Sequence, residues 1–240
     1  MLKGKTFNLE EWNPKTELGR RVKSGEITDI AYILDSGYRI LEAELVDALL
    51  PDLETQLLEV GQSKGKFGGG KGSIWKQTQK ITSEGSRMKF SAFAVVGNKN
   101  GFVGVGFGSS KETVPAREKA IRNAKLNLIK IRRGCGSWDC GCKTHHSIPF
   151  RVYGKHGSVE VTFKPAPRGT GLNAERKCRK ILELAGIKDV YSKSLGNTST
   201  KLNFFMATFE ALRELNKVKV NDDFCAQSGV VDGAFVRSEL

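Results

Sequence analysis

"NGFVGVGFGSSKE", residues 100–112, is the stretch whose reading decides the fold. Apolar residues alternate along it as they do in a β-strand, with Val103, Val105 and Phe107 on one face. Gly104, Gly106 and Gly108 occupy every second position and so share the other face. Glycine weakens a strand interior through entropy and lost packing. A face stripped of side chains therefore implies a very close neighbour. Two neighbours fit: a helix packed tightly on the sheet, or a phosphate backbone or partner loop that approaches the main chain directly. The valine and phenylalanine face is expected to point to the core.

Upstream, Phe90 to Val96 (FSAFAVV) and the loop GNKNG complete a β-hairpin. "TSEGSRMKF" is a further turn into its first strand. Downstream, "SSKETVPAREKAIRNAKLNLIKIRRG" reads as one helix ended by Gly134. Ser110 or Thr113 can cap it, and Pro115 suits its first turn. Ala120, Ile121, Ala124, Leu128 and Ile131 form an apolar stripe near the helical period, with Lys119, Arg122 and Lys125 off it. Lys130, Arg132 and Arg133 crowd its end, where cations suit the helix dipole.

The chain has 240 residues, enough for one large or two modest domains, and its 39% hydrophobic content is too high for a disordered polymer. No apolar run approaches ~18 residues, and the start, MLKGKTFNLEEWNPK, has no apolar signal-peptide core, so a cytosolic protein is expected. The net charge of +13 is unevenly spread. Residues 1–60 hold 7 Lys/Arg against 12 Asp/Glu, residues 61–133 hold 16 against 3, and residues 134–240 hold 16 against 11. An acid-poor, strongly basic middle implies a polyanionic partner, either nucleic acid or an anionic membrane. A membrane-surface helix would need large apolar residues opposite its basic face, whereas residues 113–131 offer small alanines. An enzyme acting on nucleotides would need carboxylates for a metal, and the middle holds only Glu84, Glu112 and Glu118, spread apart.

The remaining segments divide as follows. Residues 1–60 read as a helical extension, in which "EAELVDALLPDL" (42–53) places Leu45, Ala48 and Leu49 on one face and Pro51 stops the helix. Residues 61–77 form a Gly/Lys-rich linker. Its string Gly65 to Lys71 nearly matches a phosphate loop, but Gly72 stands where Ser or Thr would hold magnesium. Residues 78–134 are the hairpin and helix, and 135–145 a Cys/His-rich connector. Residues 146–216 form a second domain. "SIPFRVYGKHGSVEVTFKPAP" is its hairpin, with Ile148, Phe150 and Val152 alternating, then Val159, Val161 and Phe163, and GKHG as the turn. A helix follows that buries Cys178, Ile181, Leu182 and Ala185, then a strand, "KDVYSKSLGN". The domain closes with a helix that has Leu202, Phe205, Phe209 and Leu212 inward. Residues 217–240 are a tail of weak periodicity.

Five cysteines, an odd count without a signal peptide, argue for reduced thiols or a metal site rather than a disulfide framework. Cys135, Cys140, Cys142, His145 and His146 give C-x4-C-x-C-x2-H-H, enough ligands for tetrahedral zinc. Cys135, Cys140, Cys142 and His145 are the zinc candidates. The opposing reading is a connector of reduced cysteines, with Trp138 packing locally. Cys178 reads as a small core residue.

A small sheet followed by a helix with a basic flank resembles a double-stranded-RNA-binding domain, which reads duplex shape and backbone. The run "GSRMKFSAFAVVGNKNGFVGVGFGSSKE" followed by "AIRNAKLNLIKIRRG" resembles the universal small-subunit ribosomal protein five family. "PAPRGTGL", "ILELAGIKDV" and "LNFFMATFEAL" are similar to its second domain. "WNPKTELGRRVKSGEITDI" and "RRGCGSWDCGC" resemble its archaeal branch, the first also shared with the eukaryotic small-subunit ribosomal protein two. The resemblance implies an α+β protein: a double-stranded-RNA-binding-like domain, then a ribosomal domain-two-like β-β-α-β-α domain, with a helical N-terminal arm. It also implies a non-enzymatic constituent of the cytoplasmic small subunit. Its partners would be ribosomal RNA, proteins of the protein-four and protein-three families, and messenger RNA where it enters the subunit, with a role in decoding accuracy and no membrane contact.

On this reading the loop ending in Glu84-Gly85-Ser86-Arg87 reaches toward RNA, and the face from Gly104 to Lys111 faces RNA and neighbours. The RNA-binding candidates are Lys80, Arg87, Lys89, Lys99, Lys111, Arg122, Lys125, Arg132, Arg133 and Arg168, with backbone approach at Gly104, Gly106 and Gly108. Two features depart from the family pattern: Asn173, Glu175 and Arg176 after the RG-x-G turn, and the Gly/Lys insert at 61–72.

Overall fold

A computed structural model describes residues 9–62 and 72–234, so the near phosphate-loop string at 65–71 lies outside the described residues. The protein is α+β and divides into two compact units, Met1–Val96 with Gly104–Leu128, and Gly97–Val103 with Ile129–Leu240. Among the described residues no helix is long and apolar enough to cross a membrane.

The first unit opens with three short helices, α1 (Glu17–Lys23), α2 (Ile30–Asp35) and α3 (Ala43–Leu49). The Thr16 hydroxyl caps α1 by accepting from the Gly19 amide at 3.1 Å. Glu42, nearly buried, accepts from the Lys15 and Thr16 amides at 2.8 and 2.5 Å. Burial pushes its carboxyl up, but those hydrogen bonds, with help from the Thr16 and Trp12 side chains, outweigh it and hold the group below its ordinary value. On α3, Leu45 is buried as expected, but its buried companions are Ala43 and Val46 rather than Ala48 and Leu49.

A five-stranded sheet follows, built from β1 (Glu54–Leu58), β2 (Lys76–Thr82), β3 (Gly85–Gly97), β4 (Phe102–Ser110) and β5 (Leu128–Lys130). Its order is β1-β3-β4-β5, with β2 paired to β3. Helix α4 (Thr113–Leu126) covers the glycine face of β4. A Cβ on Gly104 would strike the Ala124 carbonyl. One on Gly106 would meet the backbone of Ala120, Asn123 and Ala124, and one on Gly108 that of Ala116 and Ala120. Ala116, Ala120 and Ala124 are fully buried against this seam. The Asn123 side chain clips it by donating to the Phe107 carbonyl at 2.8 Å. The close neighbour inferred from the glycines is therefore the protein's own helix, and these three residues are not a surface for RNA or a partner loop.

Three other expectations change. Helix α4 ends at Leu126, not at Gly134. The Asn127 amide closes on the Asn123 carbonyl at 3.1 Å, and Leu128-Ile129-Lys130 runs on as strand β5, which β-branched Ile129 favours. Leu128 and Ile131 stay buried, but not on the helix. The residue before the helix is Glu112, without a side-chain cap from Ser110 or Thr113. Phe107 does not continue the buried row of Val103 and Val105; it is 42% exposed.

In the second unit the order is β6 (Arg132–Arg133), β7 (Val152–His156), β8 (Val159–Pro165), β9 (Leu172–Asn173), α5 (Arg176–Ala185), β10 (Val190–Gly196), α6 (Lys201–Lys217), α7 (Asp222–Ser228) and β11 (Val231–Asp232). The sheet order is β7-β8-β10-β9, with β8 antiparallel to β7 and β10. GKHG is not the turn. Gly154, Lys155 and His156 lie in β7, and the hairpin closes at Gly157-Ser158, with Gly157 at φ +60°. Gly154 is needed for a second close seam, because a Cβ there would strike the Ala207 and Ala211 backbone of α6. Glu175 accepts from the Lys177 and Cys178 amides at 2.9 and 3.3 Å, so one of the residues that departs from the family pattern is a helix cap. Cys178 is buried on α5, and burial pushes its thiol up to about 12, as suits a core residue. On α6 Phe205, Phe209 and Leu212 are buried, while Leu202 is only half-buried. The tail carries more structure than its weak periodicity suggests: α7 is followed by β11, which pairs antiparallel with β6 (Val231 with Arg133, Asp232 with Arg132).

Candidate functional site

Strands β2 and β3 form a ribbon that is exposed on both faces from Lys76 to Lys89. The register pairs Lys80 with Arg87 and Thr78 with Lys89. Directly opposed residues share a face, so Lys76, Lys80, Arg87 and Lys89 line one side of the ribbon. Gln77, Gln79, Ile81 and Met88 line the other. The cationic side opens onto the start of α4. Lys80, Arg87, Lys89, Lys111 and Lys119 border a cleft of about 660 Å³ whose lining includes one acid, Glu112. All five cations are exposed. Arg87 also bonds the Glu84 carboxylate across the turn. An exposed pair of that kind contributes little and exchanges readily for a phosphate.

Four of the ten RNA-binding candidates therefore converge here: Lys80, Arg87, Lys89 and Lys111. Lys119 joins them and was not among the candidates. Its signal was its place four residues after Pro115, on the same helical face as the first turn.

The other six separate into two groups. Lys99, Arg122 and Arg168 are exposed at other points of the structure. Lys99 sits at φ 57°, and its amide donates to the Leu184 carbonyl at 2.9 Å. Lys125, Arg132 and Arg133 engage acceptors of the protein itself. Lys125 Nζ pairs with Asp47 Oδ2 at 2.6 Å. Arg132 binds both oxygens of Asp232 at 2.5 and 3.1 Å and the Val218 carbonyl at 2.7 Å. Arg133 is only 2% exposed. Its Nη2 donates to Asn100 Oδ1 at 2.8 Å and to the Gly233 carbonyl at 3.0 Å.

A separate cluster lies in the second unit. Sγ of Cys135, Cys140 and Cys142 and a ring nitrogen of His146 all stand within 4.8 Å of one another. Donors of a tetrahedral zinc centre with bonds of about 2.3 Å lie about 3.8 Å apart, so small movements would close the set. The fourth donor is His146, not His145. The His146 carbonyl accepts from the Lys188 and Asp189 amides at 2.8 and 3.1 Å, and this backbone anchoring sets the ring beside Cys140. Its Nδ1 is bonded to Asp189 Oδ2 at 2.8 Å, and its Nε2 lies 3.9 Å from Cys140 Sγ. Cys135 is held by its amide, which donates to the Ser228 carbonyl at 2.8 Å.

Burial pushes the Cys135 thiol up to about 12, with hydrogen bonding to Cys142 and Cys140 adding to the rise. Burial also opposes ionisation of Cys142. There, hydrogen bonds from the Thr144 hydroxyl and amide and from the Cys140 and Cys135 thiols prevail and bring it down to about 6. Binding a cation here would release protons from the thiols that ligate it. Trp138 does not pack locally; it is 97% exposed beside the cluster.

The sequence matches two family models, "Ribosomal protein S5, N-terminal domain" over residues 74–132 and "Ribosomal protein S5, C-terminal domain" over residues 154–223. It is 51% identical to the small ribosomal subunit protein uS5 of Methanocaldococcus jannaschii, across 95% of this chain and 98% of that one. It is 49% identical to the uS5 protein of Nanoarchaeum equitans, with the same coverage. To a uS5 protein of Methanococcus maripaludis it is 53% identical over 89% of this chain and 86% of that one. Strands β2 to β5 and helix α4 fall within the first matched segment, and most of the second unit's sheet and helices within the second. Over nearly its whole length, then, the chain belongs to the uS5 family of small-subunit ribosomal proteins, a family of structural proteins rather than enzymes.

Proposed function

We propose that this protein is a structural constituent of the cytoplasmic small ribosomal subunit and grips ribosomal RNA through the cleft between the β2–β3 ribbon and the start of α4. The observation that carries this is the gathering of Lys80, Arg87, Lys89, Lys111 and Lys119 around one opening with a single acid in its lining. Cations so arranged neutralise phosphates and release counterions without reading base identity. Lys99, Arg122 and Arg168 add exposed contacts elsewhere. The β3–β4 hairpin with α4 packed on it is the part that acts like a double-stranded-RNA-binding domain, and α1 to α3 form the N-terminal arm. On the family resemblance, the turn at Glu84 to Arg87 lies toward the channel by which messenger RNA enters. Proteins of the protein-four and protein-three families adjoin it there, and the protein supports decoding accuracy.

Replacing both Arg87 and Lys89 with Ala should weaken binding to small-subunit ribosomal RNA by roughly 10- to 100-fold at physiological salt. The plot of log affinity against log salt should flatten by about 2. A salt titration of the full chain checks both. An unchanged slope would remove this cleft from the interface.

We further propose that Cys135, Cys140, Cys142 and His146 hold one zinc ion. Zinc there supplies a structural cross-link between the connector and the end of α7, through Cys135 and its bond to Ser228. Metal analysis of freshly purified protein should find one zinc per chain, and its absence would overturn the assignment.

A further inference from the structure

The buried carboxylate of Asp189 is shared between two features that lie far apart in sequence. Its Oδ2 accepts from His146 Nδ1 at 2.8 Å. Its Oδ1 accepts from the Gly169 and Gly171 amides at 3.1 and 2.8 Å. Those amides belong to the turn that carries the exposed Arg168, in which Gly169 and Gly171 take φ of +93° and +71°. The same region is laced a second time. The Ser147 hydroxyl donates to the Asp189 carbonyl at 2.6 Å and accepts from the Ala166 amide at 3.2 Å. Asp189 is only 5% exposed, so every one of its carboxylate bonds is made inside the protein.

A histidine that ligates a metal through one ring nitrogen almost always donates its other N–H to a carboxylate or carbonyl, which fixes the tautomer and ring orientation. His146 has that arrangement, with Nδ1 on Asp189 and Nε2 turned toward the sulfurs. We propose that Asp189 is the positioning residue of the zinc centre and couples its occupancy to the conformation of the 168–171 turn, so that the metal presets how Arg168 is offered to RNA. This rests on the zinc reading above. With zinc bound, the imidazole is fixed as an Nδ1–H donor and becomes a stronger one. The carboxylate is then held in the position that also receives the two glycine amides. Without zinc the ring is free to change tautomer or to turn, and one of the three bonds that orient the carboxylate is lost.

The test uses the full chain, loaded with zinc or cobalt. In D189N the side-chain oxygen can still receive the glycine amides, but its NH₂ cannot accept from the ring. Zinc affinity, measured by competition with a chromophoric chelator, should weaken 10- to 100-fold. The visible spectrum of the cobalt-loaded protein should shift, which a merely structural loss elsewhere would not produce. In the wild-type chain, which needs no substitution to fold, stripping zinc should raise hydrogen exchange at the Gly169 and Gly171 amides. If wild-type protein takes up no zinc, the zinc reading falls and the coupling with it. If it binds zinc but D189N binds it equally well, or stripping leaves both amides unchanged, the coupling alone falls.

Discussion

Replacing Gly106 with valine should lower the melting temperature by about 10 °C or more. A new Cβ would press on the Ala120 carbonyl oxygen, the Ala124 amide nitrogen and the Asn123 carbonyl carbon, all of them backbone. No rotamer change relieves that. The helix must lift off the sheet, and the seam of Ala116, Ala120 and Ala124 opens with it. Overpacking commonly destabilises by about 1–3 kcal/mol when side chains can adjust, and here only main chain is available to move. The neighbouring Phe107, on the opposite face and 42% exposed, is the control. Phe107→Ala should melt within a few degrees of the wild type. If Gly106→Val melted there too, α4 would not be what requires the glycines.

The second large effect is expected at Arg133. Burial lowers its guanidinium to about 10, so it remains a cation at neutral pH, held by the Asn100 side chain and the Gly233 and Gly186 carbonyls. Arg133→Ala would leave those acceptors facing a void. Each buried acceptor left without a donor costs about 1–3 kcal/mol, so a total of roughly 3–5 kcal/mol is expected. Arg133→Lys should recover only part of it, because one ammonium cannot reproduce the planar fork. Denaturant unfolding measures the loss. Arg122→Ala, at an exposed position on α4, should leave stability unchanged. A stable Arg133→Ala protein with weakened RNA binding would return Arg133 to the nucleic-acid surface.

These two residues mark what the sequence alone could convey. Alternation and glycine spacing located β4, and the alanine stripe located the helix that fills its bare face. The choice between helix and phosphate as the neighbour is made by the fold, which lays the α4 backbone on Gly104, Gly106 and Gly108. Periodicity alone extends α4 too far, because Leu128 and Ile131 fall near the helical period and are indeed buried, yet they lie beyond the helix end at Leu126. Arg132 and Arg133 read as a basic cluster because charge counting cannot sense the acceptors supplied by Asp232 and Gly233, a hundred residues away. For the same reason the tail's role as the partner strand of β6 was hidden. In the metal cluster the three cysteines were legible from spacing. The choice between adjacent histidines was not, because it is made by the Lys188 and Asp189 amides that anchor the His146 carbonyl.

The β2–β3 ribbon carries a last consequence. Its two sides differ sharply, lysine and arginine on one, glutamine with Ile81 and Met88 on the other. Side chains alternate with a period of two, so a slip of β2 by a single residue would carry its lysines to the side that holds Met88. What prevents the slip is the two-residue turn Ser83-Glu84. There Gly85 takes φ +117° and the Thr82 hydroxyl donates to the Gly85 carbonyl at 2.7 Å. Four residues with almost no burial of their own thus act as the reading frame of the ribbon: they decide whether the lysines of β2 and the basic residues of β3 stand together on one side.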